Sequence, residues 1–165
     1  MKIRKFKISD TIPVANLISQ TFATFNNMEG TKKAVQRYID HYNPKKNDVE
    51  KIKEGFLLTP LFFVAEEKGK IIGIVRGTKN RVINLFVYGQ YHRKGVGKKL
   101  MQKFEQEAKK QHSKEIRIRA SLFAIKFYQG AGYKKTTGIR NFMGLKVQPM
   151  LKVLNWIAIN NYYAR

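Results

Sequence analysis

Leu85-Phe86-Val87-Tyr88-Gly89-Gln90-Tyr91-His92-Arg93-Lys94-Gly95-Val96-Gly97-Lys98-Lys99-Leu100 runs from an apolar strand, through a basic turn punctuated by glycine, into an amphipathic helix. The first backbone N–H groups of a helix have no intrahelical acceptor and carry partial positive charge, so they attract anions. Gly95 and Gly97 lack the Cβ atoms that would hold a phosphate away from that backbone. Arg93, Lys94, Lys98 and Lys99 surround it with positive charge. The segment is built to hold a phosphorylated ligand at a strand-to-helix junction.

Outward from this junction the chain reads as one domain. Lys2 to Ile8 alternates as a first strand, and Ser9 or Asp10 is placed to cap the helix that follows, whose apolar face is Val14, Leu17, Ile18, Phe22 and Phe25. A second helix starts near Thr31 with Val35, Tyr38, Ile39 and Tyr42 as its stripe, and Asp48 caps a short helix to Glu54. Leu61 to Glu66 and Lys70 to Gly77 are strands joined at Lys68-Gly69, a hairpin signal. Arg81 to Val87 is the next strand. Val96, Leu100, Phe104 and Ala108 then fall at four-residue steps on one helix face. A strand at Ile116 to Ala120, a short helix over 121–131, and an antiparallel pair formed by Tyr133 to Thr137 and a segment ending near Met150-Leu151 complete the order. No repeat or linker interrupts it.

Composition sets limits. At 165 residues with 43% apolar content the chain can bury a core. It has no cysteine, which removes disulfides, thiolate nucleophiles and zinc sites that use sulfur. No long apolar run predicts a membrane span, and Met1 to Asp10 lacks a signal-peptide core, so the expectation is a cytoplasmic protein with neither metal nor membrane partner. The net charge of +22 points to an anionic partner, and no Asp or Glu lies beyond Glu115.

The phosphate-holding turn resembles the acyl-CoA signature of the GNAT N-acetyltransferases, Gln/Arg-x-x-Gly-x-Gly/Ala after a strand, which falls here on His92-Arg93-Lys94-Gly95-Val96-Gly97. His92 stands where Gln or Arg is usual. A second stretch, Ser121-Leu122-Phe123-Ala124-Ile125-Lys126-Phe127-Tyr128-Gln129-Gly130-Ala131-Gly132-Tyr133, is similar to the family's later block, with Ser121 in place of the usual Asn. The resemblance covers roughly residues 1 to 150. It implies an α/β (α+β) GNAT fold: a central mixed, mostly antiparallel sheet flanked by helices, as a single domain over 1–165 with 151–165 a C-terminal extension.

The resemblance further implies acetyl-CoA as donor and a primary amine as acceptor, joined by direct transfer in a ternary complex. Backbone N–H groups of Arg93, Lys94, Gly95, Val96, Gly97 and Lys98 would hold the pyrophosphate, with His92 beside them touching phosphate or solvent. Val87 would pair with the pantetheine arm, and the amide of Leu85 or Phe86 would donate to the thioester oxygen. Ser121 would lie near the cofactor. Tyr128 would give a proton to the departing thiolate, a role suited to a phenol with a reference pKa near ~10.

The proton acceptor for the amine is less defined in the sequence. The central strand offers Arg81 and Asn84 where several family members carry Glu. Glu29 leads the carboxylate candidates, followed by Asp40 and Asp48, with a water chain as another route; His41 and His112 read as surface residues. Tyr38, Tyr42, Phe56, Phe142 and Met143 are candidates for the acceptor wall. A strongly cationic chain favours an amine on a neutral or anionic molecule, or a peptide N-terminus, over a polycation. Two alternatives use the same fold: a basic nucleic-acid-associated protein and a non-catalytic CoA-binding regulator. A monomer or a homodimer fits, with Trp156, Tyr162 and Tyr163 in the tail as a contact surface.

Overall fold

The computed structural model describes residues 1–154. The aromatic tail, and the contact expected of it, lie outside the described residues. Among the described residues, eight strands form one sheet: β1 (Lys2–Lys5), β2 (Leu61–Glu67), β3 (Lys70–Thr78), β4 (Arg81–Val87), β5 (Glu115–Ser121), β6 (Lys134–Lys135), β7 (Arg140–Phe142) and β8 (Leu145–Val153). Their order is β1-β2-β3-β4-β5-β8-β6, with β7 also on β8. Every pairing is antiparallel except β4 with β5. The mixed, mostly antiparallel sheet expected from the sequence is present. Residues 151–153 complete β8 and belong to the sheet.

Helices cover both faces. α1 (Thr11–Phe25), α2 (Lys32–Tyr42) and α3 (Val49–Leu57) pack on one side, where Val14, Leu17, Ile18, Ile52 and Phe56 meet Phe62, Val64 and Ile74. α4 (Val96–Lys110) lies on the other, burying Val96, Leu100, Phe104 and Ala108 at the predicted spacing against Phe63, Ile72 and Val75. α5 (Ile125–Gly130) follows a short 3-10 turn at Leu122–Ala124. The helix starts obey local chemistry. Thr31 accepts from the Ala34 amide and Asp48 from the Glu50 amide, as N-cap side chains do.

Two local readings differ from the sequence expectation. Asp10 makes no cap bond to α1; its carboxylate accepts two hydrogen bonds from Arg4, at 2.7 and 3.0 Å, and one from the Lys7 amide at 2.8 Å. Burial opposes its charge, yet those hydrogen bonds hold its carboxyl below the ordinary range. β1 accordingly stops at Lys5, and a 3-10 turn at Ile8–Asp10 leads into α1. Strand β7 was not foreseen. It forms a hairpin with β8 through Met143 and Gly144, both at positive φ, closed by Asn141 Oδ1 accepting from the Gly144 amide.

The decisive irregularity is between β4 and β5. Their pairing is confined to Arg81↔Arg117 and Val82↔Ile118. Across β4's other edge, Arg76 faces Asn84 while Gly77 faces Val82, leaving Ile83 as the extra residue of a bulge. Bulges bend a strand and raise its local twist. Here the bulge coincides with the point where β4 leaves β5, while β5 continues along β8 to Ser121↔Val147. The sheet opens into a wedge beside the glycine turn.

Candidate active site

The opened wedge exposes the backbone of β4 selectively. The Tyr88 amide donates to Ile72 O, so hydrogen-bonded pairs with β3 fall at Tyr88, Phe86 and Asn84. The N–H and C=O groups of Leu85 and Val87 therefore face the gap. Of the two amides considered for the thioester oxygen, Leu85's faces the gap, and Phe86's is committed to the ladder with β3.

At the end of β4 the chain passes through a 3-10 turn at Gly89–Tyr91 into α4. Arg93 (φ 60°) and Gly95 (φ 80°) both take left-handed backbone. Gly95 is the N-cap of α4 and supplies no side-chain cap; a Cβ there would project into open space. The first helical bond runs from the Lys99 amide to Gly95 O. The amides of Arg93, Lys94, Gly95, Val96, Gly97 and Lys98 have no acceptor among the described residues. Consecutive orphan donors at the start of a 15-residue helix form a cradle of N–H groups with the chemistry to hold an anion. Gly97 serves a further purpose: a Cβ there would approach the Phe127 ring at 3.2 Å, so the glycine lets α5 close against α4.

His92 departs from the sequence expectation. Its half-buried ring has partners of its own. Nε2 lies 2.7 Å from Val87 O, and the ring packs 4.7 Å from Phe25 and 6.1 Å from Phe123, measured between centroids. The cause is the wedge itself: Val87's carbonyl has lost its sheet partner, and the imidazole replaces it.

A cleft of about 460 Å³ lies beside the wedge. Leu85, Phe86, Ser121 and Tyr128 line it, together with Glu29, Tyr38, Tyr42 and Phe142. Tyr128 is buried, belongs to the α4-side core and also borders the cleft, which sets its ring in the opening between the strands. Burial pushes its phenol well above the ordinary value. Its hydroxyl makes no hydrogen bond among the described residues.

Glu29 is buried in the loop between α1 and α2. Its Oε1 accepts from the Phe123 amide at 2.6 Å, and its backbone carbonyl accepts from the Lys146 amide at 2.7 Å. The same loop is pinned to the β7–β8 hairpin by Thr31 N–H on Gly144 O, so the hairpin, α2 and the 3-10 turn enclose one end of the cleft. Asp40 accepts from Gln36 on its own helix and Asp48 caps α3; neither lines the cleft. Phe56 is core, and Met143 is exposed at the hairpin tip. His41 and His112 are exposed, as expected.

Sequence reasoning missed a buried network behind the cleft wall. Arg76 on β3 is buried with no carboxylate beside it. Its guanidinium donates to Asn84 Oδ1 at 2.6 Å, Thr59 Oγ1 at 2.8 Å, Tyr42 Oη at 2.8 Å and Gly55 O at 3.0 Å, and lies 5.0 Å from the centre of the Phe56 ring. Asn84 in turn donates to Tyr38 Oη at 2.9 Å. The network fixes both tyrosines of the cleft wall. It also removes Asn84 from any acid–base role, since both ends of its amide are engaged.

Among the described residues no cluster of His, Asp and Glu is suited to a metal ion, and no helix is long and apolar enough to cross a membrane. Comparison with known proteins agrees with the geometry. The GNAT acetyltransferase domain model matches residues 31–154. A GCN5-related N-acetyltransferase from Rhodopseudomonas palustris superimposes with a TM-score of 0.78 at 18% identity, covering 93% of this chain and 95% of that one. PaiA N-acetyltransferase from Thermoplasma acidophilum, solved with coenzyme A, gives 0.71 at 20% identity over 93% and 98%. A ribosomal-protein-alanine N-acetyltransferase from Brucella melitensis gives 0.68 at 16% identity over 93% and 100%. A splayed sheet, an orphan-amide cradle and a tyrosine in the wedge thus meet a family match over most of the chain, which belongs to the GNAT acetyltransferases, the acetyl-CoA-dependent N-acetyltransferases.

Proposed function

We propose that the protein moves an acetyl group from acetyl-CoA to a primary amine by direct transfer, with donor and acceptor bound together. The observation that supports this reading is the wedge: β4 parts from β5 after Val82, Leu85 and Tyr128 line the cleft beside it, and the orphan amides of the turn follow a few residues after the end of β4. Acetyl-CoA supplies the reactive thioester. The amides of Arg93 to Lys98 hold its pyrophosphate, flanked by the Lys94 and Lys98 ammonium groups, and Val87 pairs with its pantetheine arm. His92 relinquishes or shares Val87 O when the arm enters. Ser121 lines the same opening from β5.

Leu85 N–H donates to the thioester oxygen, and this bond strengthens as negative charge collects there, worth about 3 kcal/mol. Glu29, the cleft's carboxylate among the described lining residues, takes the proton that the incoming ammonium must lose. The amine nitrogen then bonds to the acetyl carbon, the carbon–sulfur bond breaks, and the sulfur takes the Tyr128 proton. The nitrogen, which still carries two protons, passes one of them through water to the Tyr128 oxygen and keeps the other as the amide N–H. The raised phenol is suited to this part: it stays protonated at neutral pH and is a strong base once it has given its proton up.

Thiol release from acetyl-CoA, measured against a panel of amines, tests the reading. The expected result is acceptor-dependent release that Tyr128→Phe slows. Tight CoA binding with no release for any amine would instead favour a non-catalytic CoA-binding protein.

A further inference from the structure

The acceptor cleft is not electrically neutral. Arg81, Arg119 and Lys146 stand on its rim, Arg76 lies behind its wall, and Glu29 is the acidic residue among those that line it. We propose that the acceptor amine also carries an oxyanion, a carboxylate or a phosphate, bound by the Arg119 guanidinium. The proposal rests on the acetyl-transfer reading and names the substrate class for it.

Arg119 differs from its neighbour on the same face of β5. Arg117 is paired with Glu115 at 2.8 Å, so its charge is compensated. Arg119 has no ion pair or side-chain hydrogen bond among the described residues. Its guanidinium lies 4.0 Å over the centre of the Phe142 ring. That contact orients the planar fork without using its N–H edge, which stays available for two parallel hydrogen bonds to an oxyanion. Phe142 is supplied by the β7–β8 hairpin, and that hairpin is itself tied to α2 through Gly144 and Arg37, which donates to Met143 O. The arginine is therefore presented by a braced surface rather than by a free strand edge.

Charge placement gives direction. Glu29, bound to the Phe123 amide, marks the end where an ammonium is attracted, and Arg119 with Lys146 marks where an anion is attracted. A zwitterionic acceptor satisfies both. A polycation would meet three rim cations with Glu29 as the acidic residue among the described lining.

The test uses product-like probes with CoA saturating and ionic strength fixed. N-acetylglycine is compared with N-acetylglycinamide, and N-acetyl-O-phosphoethanolamine with N-acetylethanolamine, by NMR titration. The charged member of at least one pair should bind about tenfold more tightly than its neutral partner. Which pair shows the preference separates carboxylate from phosphate. Arg119→Gln should erase the preference while CoA affinity is retained, which shows that the variant is folded. Equal binding within both pairs, or a preference that survives Arg119→Gln, overturns the proposal. Absence of CoA binding in the native chain is a separate failure: it removes the acetyl-transfer reading and this proposal with it.

Discussion

The proposed cofactor cradle and the proposed acceptor cleft are built by different means. The cradle is backbone: consecutive amides of one short segment, left without acceptors by a glycine N-cap in left-handed conformation. The cleft is side chains drawn from distant parts of the chain. Arg76 reaches Tyr42 across 34 positions, and Glu29 reaches Phe123 across 94. A site made of local backbone tolerates change in its side chains and fails when its conformation is blocked. A site made of long-range side-chain contacts fails one residue at a time.

Gly95→Glu should have the largest effect. It places a side chain at φ 80° and a negative charge at the proposed pyrophosphate site, and CoA affinity should fall about 100-fold or more. Gly95→Asn, which tolerates left-handed backbone and adds no charge, should cost far less. If the two variants bind CoA equally, the cradle is misplaced.

Tyr128→Phe sharpens the boundary between binding and chemistry. Turnover should fall about 100-fold with little change in acetyl-CoA KM. Because burial raises the phenol, native activity should not decline from Tyr128 ionising up to about pH 10, where an unperturbed phenol titrates. An activity loss centred well below that pH, absent in the Phe variant, would contradict the assignment.

Arg76→Met strikes the cleft alone. It leaves Asn84, Thr59 and Tyr42 without their shared donor and should destabilise the fold by about 2–3 kcal/mol. Acceptor KM should rise while CoA affinity at the turn holds; loss of both together would mean that the two regions are one cooperative unit.

The smallest effect lies at the start of α1, far from either site. The Asp10 carboxyl is held below its unfolded value, so its stabilisation is full above that value, near pH ~4, and is lost as pH falls through the lower folded one. Asp10→Asn should cost about 1 kcal/mol at neutral pH and flatten the acid limb of the stability curve. Thermal midpoints across pH measure both.

The same contrast explains what the sequence disclosed. The strand at Arg81–Val87, the hairpin turn at Lys68-Gly69 and the face of α4 are periodic or local signals, and they stand where expected. The glycine turn is legible because its proposed role resides in consecutive residues. The bulge at Ile83 is not, since it depends on how β4 registers against β3. Strand β7 was hidden by its brevity and by an atypical Met143-Gly144 turn. His92 read as a turn residue because nothing in its neighbours reveals that Val87 O would lose its sheet partner. Arg76 carries no local signal within its strand in a chain of net charge +22; only the fold shows it buried among neutral acceptors.

The most direct measurement is an amide chemical-shift titration with acetyl-CoA in moderately high salt, with ATP as the polyanion control. The account predicts saturable shifts concentrated at Arg93 to Lys98 and at Leu85 and Val87, specific to acetyl-CoA and persistent in salt. Shifts spread over the basic surface, shared with ATP and removed by salt, would contradict it.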